Sequence, residues 1–554
     1  MARLLGLTLF LTGLLLTRPA GAQVNEIPGT DVHLAKMDLI ASFGHVGAFP
    51  TGFNAVAIAT TACNTGTVKV PWEGPMDENH PMISTLIARE SNGRFEQISN
   101  YSYVKHGFFA LTSNYCNTCQ EGPFGGGDVL GLGCSDTYKA ANNADQFYLG
   151  PPDEIDPWLG LWDANCSYFD EGINPTGGPQ DCDGVRTLSQ SQVGTFGPLQ
   201  NRVVVRDEDL NVAGASYFYQ GHYVVRGEPS ANRGNNIGHR EFVPAWAGSQ
   251  WNLPSVGGVG QGDFVNGTVL DRWTGATVHA AQNGLDDGLV YLASKVTGPV
   301  NGLYRYEYAV HNRDNARGID SITIPTCSGA QIVNAGFRDL DLDAANDWTV
   351  TVGAADVTFS GPASNSLRWN TIYNVWFESD AAPVGGTAIL DQAQPGPGLP
   401  SLSIATDTPG ELYNVNLGPG CANGVPPTLV ATGTPARATI GNGTFGLESA
   451  GNQPGQPALL YMSLLNGTVD LGGGCTQYFG GLVGTGSILM GSTISDGTGL
   501  ASFPLPVPAD PAFEGLTANF QAAGVNPTGG PLLGMFELTN GLRVRVGDAI
   551  PSCP

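Results

Sequence analysis

Ser84-Thr-Leu-Ile-Ala-Arg-Glu90, Ser91-Asn-Gly93 and Arg94-Phe-Glu-Gln-Ile98 read together as one complete β-hairpin. Both arms carry apolar and β-branched residues, and Asn-Gly between them favours the positive φ values of a two-residue hairpin turn. The same punctuation recurs. Asn-Gly stands at 266–267, 283–284, 301–302, 423–424, 442–443, 466–467 and 540–541, and Asp-Gly at 183–184, 287–288 and 496–497. Ala215 to Val225 and Leu303 to Asn312 alternate like long strands. No useful stretch keeps apolar residues at i, i+3, i+4 and i+7, so little helix is expected. The expected fold class is all-β: several antiparallel β-sandwich domains joined by Gly/Asn-rich turns.

The start of the chain sets the compartment. Arg3, an apolar run from Leu4 to Thr17 and the small residues Ala20-Gly21-Ala22 form the pattern of a secretory signal peptide, with Gln23 as the expected mature N-terminus. The run is short for a membrane span, and no later apolar stretch reaches the roughly 20 residues a spanning helix needs. Without Arg3 and Arg18 the formal charge moves from −25 to −27. A surface so acidic, with no Lys/Arg cluster to offset it, disfavours nucleic acid as a partner. The 78 glycines show no collagen-like period and are interleaved with aromatic and β-branched residues, so core material is ample.

Domain boundaries follow composition. The reading is a signal peptide over 1–22, a Cys- and Trp-bearing β-rich domain over 23–200 and a middle sandwich over 201–393, with one sheet system shared across residue 200 as the alternative. The tract Gln394-Pro-Gly-Pro-Gly-Leu-Pro400 marks a linker over 394–408, and a C-terminal sandwich occupies 409–554.

That last unit carries Gly418-Pro-Gly-Cys421, Gly441-Asn-Gly-Thr-Phe-Gly-Leu447, Gly472-Gly-Gly-Cys475, Asp496-Gly-Thr-Gly-Leu-Ala-Ser-Phe-Pro504 and Leu538-Thr-Asn-Gly-Leu-Arg-Val-Arg-Val-Gly547. Earlier stretches include Lys105-His-Gly-Phe-Phe109, Gly133-Cys-Ser-Asp-Thr-Tyr138, Tyr306-Glu-Tyr-Ala-Val-His-Asn312 and Leu367-Arg-Trp-Asn-Thr-Ile-Tyr-Asn374. In these patches the chain resembles secreted β-rich proteins of planctomycete-type bacteria, including their C-terminal sandwich module. The resemblance implies export and a β-sandwich build. It implies no activity and brings no catalytic residues.

Three constellations could carry chemistry. Cys63, His80, His106, Cys116, Cys119 and Cys134 lie close in sequence. Cys116-Asn-Thr-Cys119 has the spacing of half a zinc site, so His80, His106, Cys116 and Cys119 are candidate zinc or copper ligands. Exported thiols also pair with one another, which gives the competing reading: Cys63, Cys116, Cys119 and Cys134 form two disulfides, and Cys166 pairs with Cys182 across Asn174-Pro-Thr-Gly-Gly178. The second constellation is Asp339, Asp341, Asp343 and Asp347, with Asn346 beside them. These hard oxygen ligands suit Ca2+, although the mid-loop glycine and closing glutamate of an EF-hand are missing. Third, Tyr304, Tyr306 and Tyr308 share one strand face, where they would stack on sugar rings if exposed or fill a core if buried.

Gly-x-Ser-x-Gly, His-Glu-x-x-His and the phosphate-loop motif are all absent. The expected function is a secreted or cell-surface structural, adhesive or glycan-binding protein without catalysis. Its expected partner is an extracellular polysaccharide or a cell-surface component. The alternative is an extracellular, metal-assisted enzyme acting on a polymer, centred on residues 60–140.

Overall fold

The opening hairpin forms: Met82–Ser91 pairs antiparallel with Arg94–Gln97, and Asn92 and Gly93 turn the chain at φ 51° and 83°. This computed structural model describes residues 26–547 apart from 121–126, 172–181, 283–287, 302, 328–329, 342, 411–413, 435 and 482–485; the expected signal peptide lies outside them. Among the described residues no helix is longer than four residues, and the sheets are antiparallel. The chain is all-β.

The first unit is built on a seven-stranded sheet. Its strands run in the order Leu149–Gly150, Val104–His106, Met82–Ser91, Ser216–Val224, Ile237–Phe242 and Val265–Asn266, with Arg94–Gln97 added beside Met82–Ser91. One face covers two three-stranded sheets, Val32–Lys36 with Thr60–Asn64 and Ser135–Tyr138, and Ile40–Val46 with Phe53–Ile58 and Val203–Arg206. Val32, Leu34, Val56, Ile58, Ile83, Ile87, Tyr219 and Tyr223 fill the space between them. Strand pairing therefore crosses residue 200, since Val203–Arg206 bonds to Phe53–Ile58 and Ser216–Val224 to Met82–Ser91. The boundary expected at residue 200 reflected a change in loop composition. Hydrogen bonding keeps residues 203–266 with the first unit.

The second sandwich has two five-stranded sheets. One contains Thr277–Ala281, Val290–Val300, Leu303–Asn312, Thr371–Ser379 and Ile332–Arg338; the other contains Thr349–Val352, Asp356–Ser360, Ile319–Pro325, Pro383–Gln392 and Ser401–Pro409. The tract expected to be a linker is a hairpin connection. Ser401–Pro409 returns along Pro383–Gln392 as an edge strand, and Gln392 N–H donates to the Pro400 carbonyl.

The first and second units are not separate beads. Leu86, Ala88, Phe95 and Phe218, on the far face of the seven-stranded sheet, pack against Ala293, Ala309 and Ile372 of the second sandwich. Strands held between two layers are buried on both faces, which is why Ser216–Val224 is buried at eight consecutive positions. Tyr217, Tyr219 and Tyr223 face one core while Phe218 faces the other.

The third sandwich pairs a six-stranded sheet with Thr428–Thr432, Gly446–Ala450 and Ala501–Pro504. In the strand Gly541–Arg545, Leu542 and Val544 enter the core, whereas Arg543 bonds Asn519 and Asn466 at the surface. Val544→Asp would bury a carboxylate without a partner and should cost on the order of 3 kcal/mol. Arg543→Glu should cost clearly less. Equal thermal melts for the two variants would contradict this assignment of faces.

Disulfides join Cys63–Cys116, Cys119–Cys134, Cys166–Cys182 and Cys421–Cys475. Cys327 is disulfide-bonded as well, and no described cysteine is free. The turn expected at 174–178 lies outside the described residues.

Candidate functional site

Where the first unit meets the second sandwich, the surface opens into a cleft of about 660 Å³. Phe53, Asn100, Val204 and Arg206 line it from one side, and Phe337, Arg338, Asp341, Asp347 and Trp376 from the other. Strand pairing positions these groups. Phe53 and Arg206 are opposite one another at the ends of their strands, and Trp376 lies opposite both Glu307 and Gly336. A Cβ at Gly336 would lie 2.4 Å from the Trp376 ring, so only glycine lets the indole settle there.

An ion-pair network fixes the cleft floor. Arg94 clasps Glu307 with Nε and Nη2 at 2.7 and 3.0 Å, and its guanidinium carbon sits 3.5 Å from the Trp376 ring centroid. Arg89 reaches Glu96 at 2.8 Å and Asp209 at 3.1 Å. Arg206 reaches Asp209 at 2.7 Å, and Arg338 spans Glu96 and Asp209 at 3.4 Å each. Three arginines thus converge on the nearly buried Asp209. Charges cross-braced in this way hold the cleft walls in register and leave the outer guanidinium edges of Arg206 and Arg338 at the surface.

The acidic loop forms one lip. Asp339 Oδ1 accepts from Asp341 N–H, Asp341 Oδ1 from Asp343 N–H, and Asp343 Oδ1 from Ala345 N–H, so each carboxylate caps the turn that follows it. Asp339 also accepts from Asn365 Nδ2 at 2.6 Å. Burial, with Asp341 and Asp347 nearby, pushes the Asp339 carboxyl above the ordinary carboxylate range. Asp347 moves the same way, through burial and then Asp341 and Asp343. Among the described residues no three His, Cys, Asp or Glu side chains gather as a metal site requires. Asp339, Asp341 and Asp343 cap successive turns of this loop, and Asp347 lines the cleft.

The zinc or copper set comes apart differently. The sulfurs of Cys116 and Cys119 are bonded to Cys63 and Cys134, which removes them as thiolate ligands. His80 and His106 do meet, with Nε2 to Nδ1 at 2.6 Å, inside a shell of Trp162 and Phe169. His80 Nδ1–H donates to the Asp77 carbonyl, so His80 Nε2 accepts from His106 Nδ1–H. Both rings are buried, and burial holds His80 down to about 4 and His106 well below its ordinary value. They form a neutral core pair. Tyr306 and Tyr308 are also core residues, fully buried, donating to the Ala381 and Asp407 carbonyls at 2.8 Å each. Tyr304 is only partly buried and packs against the same core.

Of the sequence candidates only Asp339, Asp341 and Asp347 line the cleft. Phe53, Arg206, Phe337, Arg338 and Trp376 carried no local motif to mark them, because four separate strands deliver them.

Fold and bonding define a class: an all-β, multiply disulfide-bonded chain, as expected of an oxidising, extracytoplasmic compartment. Among the described residues no helix is long and apolar enough to cross a membrane. No family model matches the chain, and no curated protein matches it. Among solved structures, the major pilin subunit of Bacillus cereus aligns with a TM-score of 0.18 and 8% identity, covering 63% of this chain and 85% of the pilin. Escherichia coli α-2-macroglobulin activated by porcine elastase aligns with a TM-score of 0.13 and 9% identity, covering 94% of this chain and 35% of that one. Neither overlap is high enough to carry an argument.

Proposed function

We propose that the chain is an exported or cell-surface protein of structural or adhesive role, and that the cleft binds a hydroxyl-rich polymer, an extracellular polysaccharide. The observation that carries this reading is the composition of the cleft. Aromatic surface, exposed at Phe53 and half-buried at Trp376, lies beside fixed polar arms from Asn100, Arg206, Arg338, Asp341 and Asp347. Sugars present apolar ring faces edged by hydroxyls. Aromatic planes stack on the former, while carboxylates and guanidinium groups bond the latter. The lining mixes both signs of charge, which favours a neutral polymer over a strongly charged one.

Affinity electrophoresis against a panel of neutral and acidic polysaccharides tests the reading. Phe53 is 37% exposed, so Phe53→Ala should leave the melting temperature unchanged and weaken binding about tenfold, the loss of one stacking contact. Retention of the wild-type chain by no polysaccharide, or equal retention of Phe53→Ala, would overturn it.

A further inference from the structure

We propose that the first unit carries an intramolecular amide cross-link, formed between the Lys105 amine and the Asn143 side-chain carboxamide with release of ammonia. Lys105 lies on Val104–His106 of the seven-stranded sheet, opposite Ile83 and Leu149. Asn143 ends the single helical turn Ala140–Asn143, which follows Ser135–Tyr138 of a facing three-stranded sheet. Both residues line one small cavity of about 10 Å³, room for a single water molecule.

Each of the two brings a buried atom that the fold leaves unbonded. Lys105 is 2% exposed, and its Nζ has no hydrogen-bond acceptor among the described residues. Its surroundings are aromatic: the ring centroids of Tyr148, Phe108 and Tyr138 lie at 4.0, 4.4 and 5.9 Å. That shell replaces water poorly around an ammonium, and burial holds the amine down to about 7. A neutral lysine amine has a free lone pair and is a nucleophile. Asn143 is buried as well. Its Nδ2 donates to the Ile58 carbonyl at 2.9 Å and to Thr60 Oγ1 at 3.2 Å, which fixes the plane of the amide, while Oδ1 has no donor. An unbonded amine and an unbonded carboxamide oxygen thus share one cavity, and joining the groups removes the buried amine altogether.

Asp145 is the third participant. It stands two residues beyond Asn143, caps the next turn by accepting from Phe147 N–H at 3.1 Å, and its charge acts on Lys105. The lone pair of neutral Nζ attacks Asn143 Cγ, and Asp145 takes one Nζ proton as the N–C bond forms. That proton passes to Nδ2, the Cγ–Nδ2 bond breaks and ammonia leaves. No oxidant or cofactor enters. The product is an amide that ties the seven-stranded sheet to the layer facing it.

Tryptic mapping of the full chain, folded first and then denatured with its disulfides reduced, tests this. Trypsin should fail to cut after Lys105, and residues 95–139 and 140–186 should travel as one branched species. Its mass should fall short of the two peptides together by one ammonia, about 17 Da. Lys105→Arg should restore the cut and give separate peptides. Asp145→Asn keeps a side chain able to cap the turn, so it should fold, leave the peptides separate and melt below the wild type. Wild-type peptides that separate, with cleavage after Lys105, overturn the cross-link. A branched species that survives in Asp145→Asn overturns the part given to that carboxylate.

Discussion

Arg240→Met is expected to destabilise the first unit by roughly 5 kcal/mol, among the largest losses from any single side chain in this chain. The Arg240 side chain is wholly buried. Nη1 lies within 2.6–2.9 Å of the Met37, Asp38 and Gly260 carbonyls, and Nη2 within 2.7–2.9 Å of those of Val256 and Gly258. One guanidinium thus binds a glycine-rich loop over 255–263 to the start of the first sandwich. A methionine fills the volume but donates nothing, so the Met37 carbonyl keeps only the Tyr219 hydroxyl at 3.5 Å and the other four must find water or stay unpaired. Each buried carbonyl left unpaired costs about 1–3 kcal/mol, and opening the loop to water recovers part of the total. Gly262 belongs to the same device, since a Cβ there would lie 2.0 Å from Arg240 Nη2. Arg240→Lys, with one compact donor head, should recover less than half of the loss. Urea unfolding monitored by tryptophan fluorescence measures all three chains. A midpoint for Arg240→Met within error of wild type would show that the loop does not depend on this residue.

Local features were legible in the sequence, and long-range pairings were not. Asn92-Gly93 announced its hairpin because turn geometry is decided within four residues. Export predicted paired cysteines, and Cys166–Cys182 was readable because a short loop separates the two. The partner of a strand is another matter. Alternation in Ser216–Val224 says that Tyr217, Tyr219 and Tyr223 share a face, yet nothing local says that this strand lies beside Met82–Ser91. Strand pairing across residue 200 is long-range information of that kind. Likewise, the Pro/Gly composition of 394–400 fits a linker and a hairpin loop equally, and only the return strand Ser401–Pro409 decides. The tyrosines of Leu303–Asn312 were compatible with a sugar platform or a core, and the second sheet placed Tyr306 and Tyr308 inside. The cleft stayed hidden because Phe53, Arg206 and Trp376 become neighbours only through these pairings.

The second large effect is acid instability. Five histidines are buried and held neutral: His80 and His222 down to about 4, His239 and His311 down to about 3, and His106 well below its ordinary value. Burial is the leading cause for each, reinforced by Arg272 at His239 and by His222 at His311. A histidine lowered in the fold takes up its proton mainly in the unfolded chain. Its contribution is complete above about pH 6.5 and is lost as pH falls toward the folded value. Carboxyls that burial raises, Asp339 and Asp347 among them, act in the opposite sense. Burial raises Asp136 to about 6 and Glu228 to about 7, so each favours the fold more as pH falls from its folded value toward the ordinary carboxylate range. Near pH 5 the five histidines outweigh Asp136 and Glu228, and these seven groups together should take up about three protons on unfolding. The resulting slope is on the order of 4 kcal/mol per pH unit. Melting temperature should therefore change little between pH 8 and 7 and fall steeply between pH 6 and 4.5. A flat melting profile from pH 7 to 4.5 would mean that these imidazoles reach water or carry their protons in the fold, contrary to the burial that surrounds them.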